Sequence, residues 1–219
     1  MPIWSRSLWS IIKEQYKYYY EYGWDSTYCY PNSHVLKNKL NIRNQAELEA
    51  AESAITSVKS TQLMMNRLNG RFGTAHLKKI HKFLFCDIYS WAGKIRTVNI
   101  FKGNPFCRAE YIESQLNMLF MQLKEEKYLK DYSGKEEFGK RLAYYLSEIN
   151  VIHPFREGNG RTQRMFIEHL AYNAGYTLDF MKINSDDMLE ASVQAYGRNY
   201  DLMEQIIIGA LTENICSEY

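Results

Sequence analysis

Apolar side chains recur at steps of three and four along most of this 219-residue chain, and only four prolines interrupt them. That spacing puts the apolar residues on one face of a helix, so the chain is expected to fold as packed helices. Between Asn44 and Gly70 the stripe runs Leu48, Ala51, Ile55, Val58, Leu63 and Leu68. A second helix is expected from Thr74, acting as its cap, through Leu77, Ile80, Leu84, Ile88 and Trp91, with a stop at Gly93. More helices are expected at about 109–127, 135–151 and 162–173, with one or two between 185 and 213. Residues 3–22 repeat the pattern with Trp4, Leu8, Ile11, Ile12, Tyr16, Tyr19 and Tyr20. Packing of this N-terminal helix on the main body is the plain expectation, and a docking face for a partner is the sharper one.

The period changes once. Residues 95–101 alternate apolar and polar side chains, which predicts a strand. Lys102-Gly103-Asn104-Pro105 reads as a turn and Phe106-Cys107-Arg108 as a short return strand. A lone hairpin adds little to a helical core. Its better use is an exposed edge that pairs with an extended segment of another protein. The fold class expected is therefore an all-α bundle with one small β-hairpin.

Composition removes several classes of function. The apolar share of 46% and charged share of 24% are those of an ordinary globular domain. A net charge of +2, from 27 basic and 25 acidic side chains, gives no reason to expect a direct nucleic-acid or membrane partner. Cys29, Cys86, Cys107 and Cys216 lie far apart, without zinc-type spacing or a disulfide framework. No apolar run has transmembrane length, and Lys13, Glu14 and Lys17 spoil a secretory leader. The expected location is the cytoplasm, with delivery into another cell left open.

The chemistry is concentrated in His153-Pro154-Phe155-Arg156-Glu157-Gly158-Asn159-Gly160-Arg161-Thr162-Gln163-Arg164. A Gly-Asn-Gly turn leading into a helix exposes backbone N–H groups without intrahelical partners, which with the helix dipole make an anion site. Gly158 and Gly160 let a phosphate approach the main chain. Arg161 and Arg164 suit phosphate oxygens, although cations at a helix N-terminus oppose the dipole, and a bound polyphosphate resolves that conflict. Glu157 offers the single carboxylate that Mg²⁺ takes when phosphates and waters fill its octahedron. His153 supplies a base for an attacking hydroxyl. Phe155 reads as a structural anchor of the loop. Singly, each residue has an ordinary structural explanation. Together they describe transfer of a phosphorus group to a hydroxyl.

The same residues resemble the signature of the Fic-domain family, His-x-Phe-x-(Asp/Glu)-Gly-Asn-Gly-Arg-x-x-Arg, at every constrained position. The likeness extends to Tyr30-Pro31-Asn32-Ser33, Leu36-Lys37-Asn38-Lys39, Ile80-His81, Tyr89-Ser90-Trp91-Ala92-Gly93 and the hairpin. It implies a Fic core over 28–210, with residues 1–27 as an N-terminal helix and linker and 211–219 as a tail. It also implies AMP transfer from ATP, with Mg²⁺, to a Tyr, Ser or Thr of a target protein. His153 would be the base and Glu157 the metal ligand, with Gly158, Asn159 and Gly160 around the α- and β-phosphates. Arg161 would contact the β-phosphate and Arg164 the γ-phosphate. The hairpin 95–107 would be the flap, with Val98, Asn99, Ile100, Phe101, Lys102 and Gly103 docking the target's main chain.

Many such proteins carry an inhibitory (Ser/Thr)-x-x-x-Glu-(Gly/Asn) helix. Here Glu213-Asn214 has Gly209 in place of the hydroxyl residue, and Ser10-Ile11-Ile12-Lys13-Glu14 is followed by Gln15. The resemblance therefore implies the toxin-like subclass, held by a small antitoxin that supplies the helix, although Glu14 keeps inhibition by the N-terminal helix in view. Targets in the family include type II topoisomerases and GTPases. Two alternatives are transfer or removal of another phosphate-linked group, and a nucleotide-binding interaction module without turnover.

Overall fold

The Asn44 side chain accepts a hydrogen bond from the Glu47 N–H at 3.1 Å and so starts α1, Gln45–Met65. This computed structural model describes residues 25–102, 104–132 and 134–213. The expected helix at 3–22, Gly103 and the tail beyond Glu213 lie outside the described residues.

The remaining helices are α2 (Thr74–Phe85), α3 (Ile112–Glu125), α4 (Lys135–Ile152), α5 (Asn159–Asn173), α6 (Ser185–Tyr196) and α7 (Asp201–Ala210). Helix α2 differs from the sequence expectation at both ends. Thr74 is the first residue of α2 and not its cap; its hydroxyl donates instead to Asn117 Oδ1 of α3 at 3.1 Å. Moreover, α2 ends at Phe85, before Ile88 and Trp91, because the chain turns back so that the Gly93 N–H donates to His81 Nδ1 at 2.7 Å. Ile88, Tyr89 and Trp91 remain buried, so apolar spacing persisted through a turn and overstated the helix.

Helix α4 sits centrally and packs on α3, α5, α6 and α7. It meets α7 through Gly139, where a Cβ would lie 2.5 Å from Ile208 Cγ1. Helix α5 is buried on nearly every side, with Met165, Phe166, Ile167, Leu170 and Ala171 in the core. Met165, Phe166, Ile167 and Leu170 each contribute about 1.5–3 kcal/mol, so the helix that follows the loop 153–158 is well anchored.

The expected hairpin is much narrower. Strands β1 (Phe101–Lys102) and β2 (Asn104–Pro105) pair antiparallel, Phe101 opposite Pro105, and neither 95–100 nor 106–108 is strand. The reason is Arg96, whose guanidinium takes the carbonyls of Val98, Cys107, Ile152 and His153. Those acceptors are then spent on one buried cation and not on a ladder. A second ribbon, unforeseen in the sequence, pairs β3 (Tyr176–Leu178) with β4 (Leu211–Glu213), Leu178 opposite Leu211. Both leucines are buried, and Tyr176 stacks on Phe138 with ring centroids 4.2 Å apart.

Candidate active site

Helix α4 ends at His153 in a left-handed conformation, φ 49° and ψ 63°, which turns the chain into the loop toward α5. Its carbonyl accepts from Arg96 Nε at 2.8 Å, and the next carbonyl, of Pro154, accepts the Arg96 N–H at 2.9 Å. The Cys107 N–H donates to Val151 at 3.2 Å, so the base of the hairpin is stitched to the end of α4. His153 is 5% exposed, and Phe106 stacks on its ring at 3.7 Å. Its Nδ1 lies 3.1 Å from the Asn150 carbonyl, which fits a proton on Nδ1 donated there and leaves Nε2 with the basic lone pair.

The loop is held from beneath. Phe155 is 1% exposed and stacks on His81 at 3.9 Å. His81 Nε2 donates to the Glu157 carbonyl at 3.0 Å, with its Nδ1 accepting from Gly93; this leaves the ring neutral, its pKa pushed down to about 4 mainly by burial. The Asn159 side chain accepts from the Phe155 N–H at 2.8 Å and donates to the Phe155 carbonyl at 2.7 Å. It therefore locks the loop. Arg156, buried, ion-pairs with Asp25 at 3.5 Å.

Gly158 adopts φ +78°, and the first helical bonds of α5 run from Thr162 to the Gly158 carbonyl. The N–H groups of 159–161 thus precede the ladder, at the positive end of the dipole. Helix α5 begins at Asn159, earlier than the expected 162, so Gly160 and Arg161 belong to its first turn. The Arg164 guanidinium folds back over Gly160, with Nη1 3.3 Å from where a Cβ would stand.

His153, Gly160 and Arg164 line one cavity of about 220 Å³, together with Asn104 and Phe106 of the hairpin segment. Helix α6 closes it with Met188, Leu189, Val193 and Tyr196. Glu157 and Arg161 line a separate cavity of about 380 Å³ with Glu52 and Tyr89. Arg161, expected at a β-phosphate, pairs with Glu52 of α1 and donates to Thr56 Oγ1 at 2.9 Å. Burial, and next the charge of Glu52, push the Glu157 carboxyl above its usual range. Among the flap residues, Ile100 is buried, while Val98, Asn99 and Phe101 are half-buried.

Arg96, Arg156 and Glu52 were not legible as site residues, and His81 entered only through the family likeness. Arg156 occupies an unconstrained place in the motif, and Arg96, His81 and Glu52 lie 57, 72 and 101 residues before His153, so nothing in their local spacing marks them.

Residues 71–171 match the Fic/DOC family. The chain is 43% identical over 192 residues to protein adenylyltransferase VbhT of Bartonella schoenbuchensis, covering 87% of this chain and 40% of that protein. It is 42% identical over 166 residues to a probable protein adenylyltransferase Fic of Escherichia coli, covering 75% of this chain and 82% of the relative. Among solved structures, the N-terminal Fic domain of a Bartonella quintana effector with bound ADP superposes with a TM-score of 0.80 at 30% identity, covering 86% of this chain and 96% of that one.

Proposed function

The chain belongs to the Fic/DOC family, and from that premise we propose that it is a protein adenylyltransferase, moving AMP from ATP to a Tyr, Ser or Thr hydroxyl of a target protein. The observation that carries this reading is a single cavity lined by both His153 and the first turn of α5 with Arg164. A base and an anion site then face the same space, as attack of a hydroxyl on a phosphate requires.

His153 Nε2 takes the proton of the target hydroxyl. Its oxygen bonds to the α-phosphorus, the bond from that phosphorus to the α–β bridging oxygen breaks, and pyrophosphate leaves with the electron pair. The N–H groups opening α5 hold the phosphates, and Arg164 takes the terminal one. The apolar wall of α6 receives the nucleoside. The hairpin, stitched beside His153 by Arg96, presents the target's main chain.

Glu157 immediately precedes the turn that opens α5, and its Oε1 accepts from the Gly158 N–H at 2.9 Å, so its carboxylate is fixed beside the anion site and would hold a magnesium ion as the one protein carboxylate, with phosphates as further ligands. Bound there, Mg²⁺ would neutralise charge on the phosphate oxygens.

Control in trans by a small antitoxin, and hence a toxin role, is supported by the sequence of this chain, in which Gly209 stands where the inhibitory motif needs a hydroxyl. The proposed site of action is the cytoplasm; separately, none of the described helices is long and apolar enough to cross a membrane. The target is a protein, with type II topoisomerases and GTPases the first to test.

Incubation with labelled ATP, Mg²⁺ and cell lysate tests the central claim. Label should pass to protein, and His153→Ala should lower the rate by about 10²–10⁴-fold. An unchanged rate in that variant removes His153 as the base.

A further inference from the structure

Arg161 leaves the first turn of α5 and crosses to α1. There its Nη2 pairs with Glu52, its Nη1 donates to Thr56 Oγ1 at 2.9 Å, and its guanidinium lies 4.9 Å over the Phe85 ring. Glu52 is 7% exposed, and its second carboxylate oxygen accepts from the Tyr89 hydroxyl. The same guanidinium stands 4.0 Å from Glu157 Oε1.

Two carboxylates thus compete for one arginine. Glu157 lies in the loop just before α5, yet its Oε1 stands close enough to Arg161 for a small side-chain movement to close the pair. In a partly dry site such a pair would close, and the carboxylate would then face a cation already in place. Glu52 prevents this because Tyr89 and the packing of α1 fix it in position, so that Arg161 is drawn toward α1 and stays at the limit of ion-pair distance from Glu157. Within the motif the Gly158 N–H donates to Glu157 Oε1 at 2.9 Å and holds the carboxylate in place, while Glu52 holds the guanidinium.

We propose that Glu52 is a positioning residue for the nucleotide site: it holds Arg161 on α1 and thereby leaves the Glu157 carboxylate open to a divalent cation. The inference rests on the reading of Glu157 as the magnesium ligand, so the experiment separates the two. Binding of a non-hydrolysable ATP analogue is measured by calorimetry across a Mg²⁺ series, with thermal melting as the check on folding. Glu52→Gln should raise the half-saturating Mg²⁺ concentration by about five-fold, on the scale of one partly exposed charge pair. Affinity for the analogue at saturating Mg²⁺ should change by less than about two-fold. In an Arg161→Gln background the same substitution should shift the Mg²⁺ requirement no further, since the competing guanidinium is gone. Tyr89→Phe, which frees Glu52 without altering charge, should shift it in the same direction by less, and serves if Glu52→Gln fails to fold.

A Mg²⁺ requirement unchanged in both Glu52→Gln and Tyr89→Phe overturns the proposal, as does a Glu52→Gln shift that persists without Arg161. Glu157→Ala tells the two levels apart. If it loses Mg²⁺-dependent binding while Glu52→Gln is unshifted, the role of Glu52 alone falls; if it binds as the wild type does, the magnesium role of Glu157 falls and this inference with it.

Discussion

Gly158 is placed by two separate demands. Its φ of +78° lies in the left-handed region, and a Cβ there would stand 2.2 Å from the Phe85 ring. Phe85 is fully buried and stacks on His81, so the ring has nowhere to retreat. Gly158→Ala should therefore combine backbone strain of about 1–3 kcal/mol with overpacking of similar size. Urea unfolding should report the loss, and nucleotide binding should weaken because the turn that aims the N–H groups of α5 is displaced. The motif glycine was legible from its residue type. The ring that forbids a side chain was not, because Phe85 lies 73 residues earlier and meets Gly158 only when α2 packs under the loop. Arg161 teaches the same lesson in reverse: its residue type suggested phosphate, and its partner on α1 came from packing.

Helices α4 and α7 approach closely because Gly139 lacks a side chain. A Cβ there would lie 2.5 Å from Ile208 Cγ1, 3.2 Å from Leu211 Cδ1 and 3.5 Å from the Ile208 Cα. In an isolated helix Gly→Ala would stabilise by about 1 kcal/mol. Here Gly139→Ala should destabilise by about 1–3 kcal/mol, since the two helices must separate and carry β4 with them. Chemical denaturation gives the sign directly, and a gain in stability would mean that the crossing relaxes freely. Helix existence was readable from the period of the apolar residues at α1, α3, α4 and α5. Ends were read less well: α2 stopped short of Trp91 because a turn can bury Ile88, Tyr89 and Trp91 just as a helix would. The hairpin shrank to 101–105 because alternation in 95–100 reports an extended chain, and Arg96 had already claimed the carbonyls needed for a ladder. The β3–β4 ribbon left no mark, since its strands have three residues each and their pairing joins 176 to 213.

Across the whole molecule, buried neutral histidines tie stability to pH. His81 is fully buried and His169 is 2% exposed; burial lowers both from 6.5 to about 4, and the same cause lowers His76. The unfolded chain binds these protons as pH falls through 6.5, whereas the folded chain resists until about 4. More protons on the unfolded state means stability that is present above pH 6.5 and is lost between there and pH 4, up to about 3 kcal/mol for each of the two groups. Urea midpoints taken at pH 7, 6 and 5 should fall in that order, and a flat series would show that these rings take up protons in the native state at the same pH as in the unfolded chain. Function also depends on assembly at this scale. The sequence by itself determined the helical class and the chemical content of His153–Arg164, because helical period and motif chemistry are local properties carried by neighbouring residues. Only the tertiary structure decided how that content is divided: His153, Gly160 and Arg164 around one cavity, Glu157 and Arg161 beside Glu52 and Tyr89 at another. The physical reason is that a pair such as Glu52 and Arg161, 109 positions apart, exists only after α1 and α5 have packed, and no local spacing encodes it.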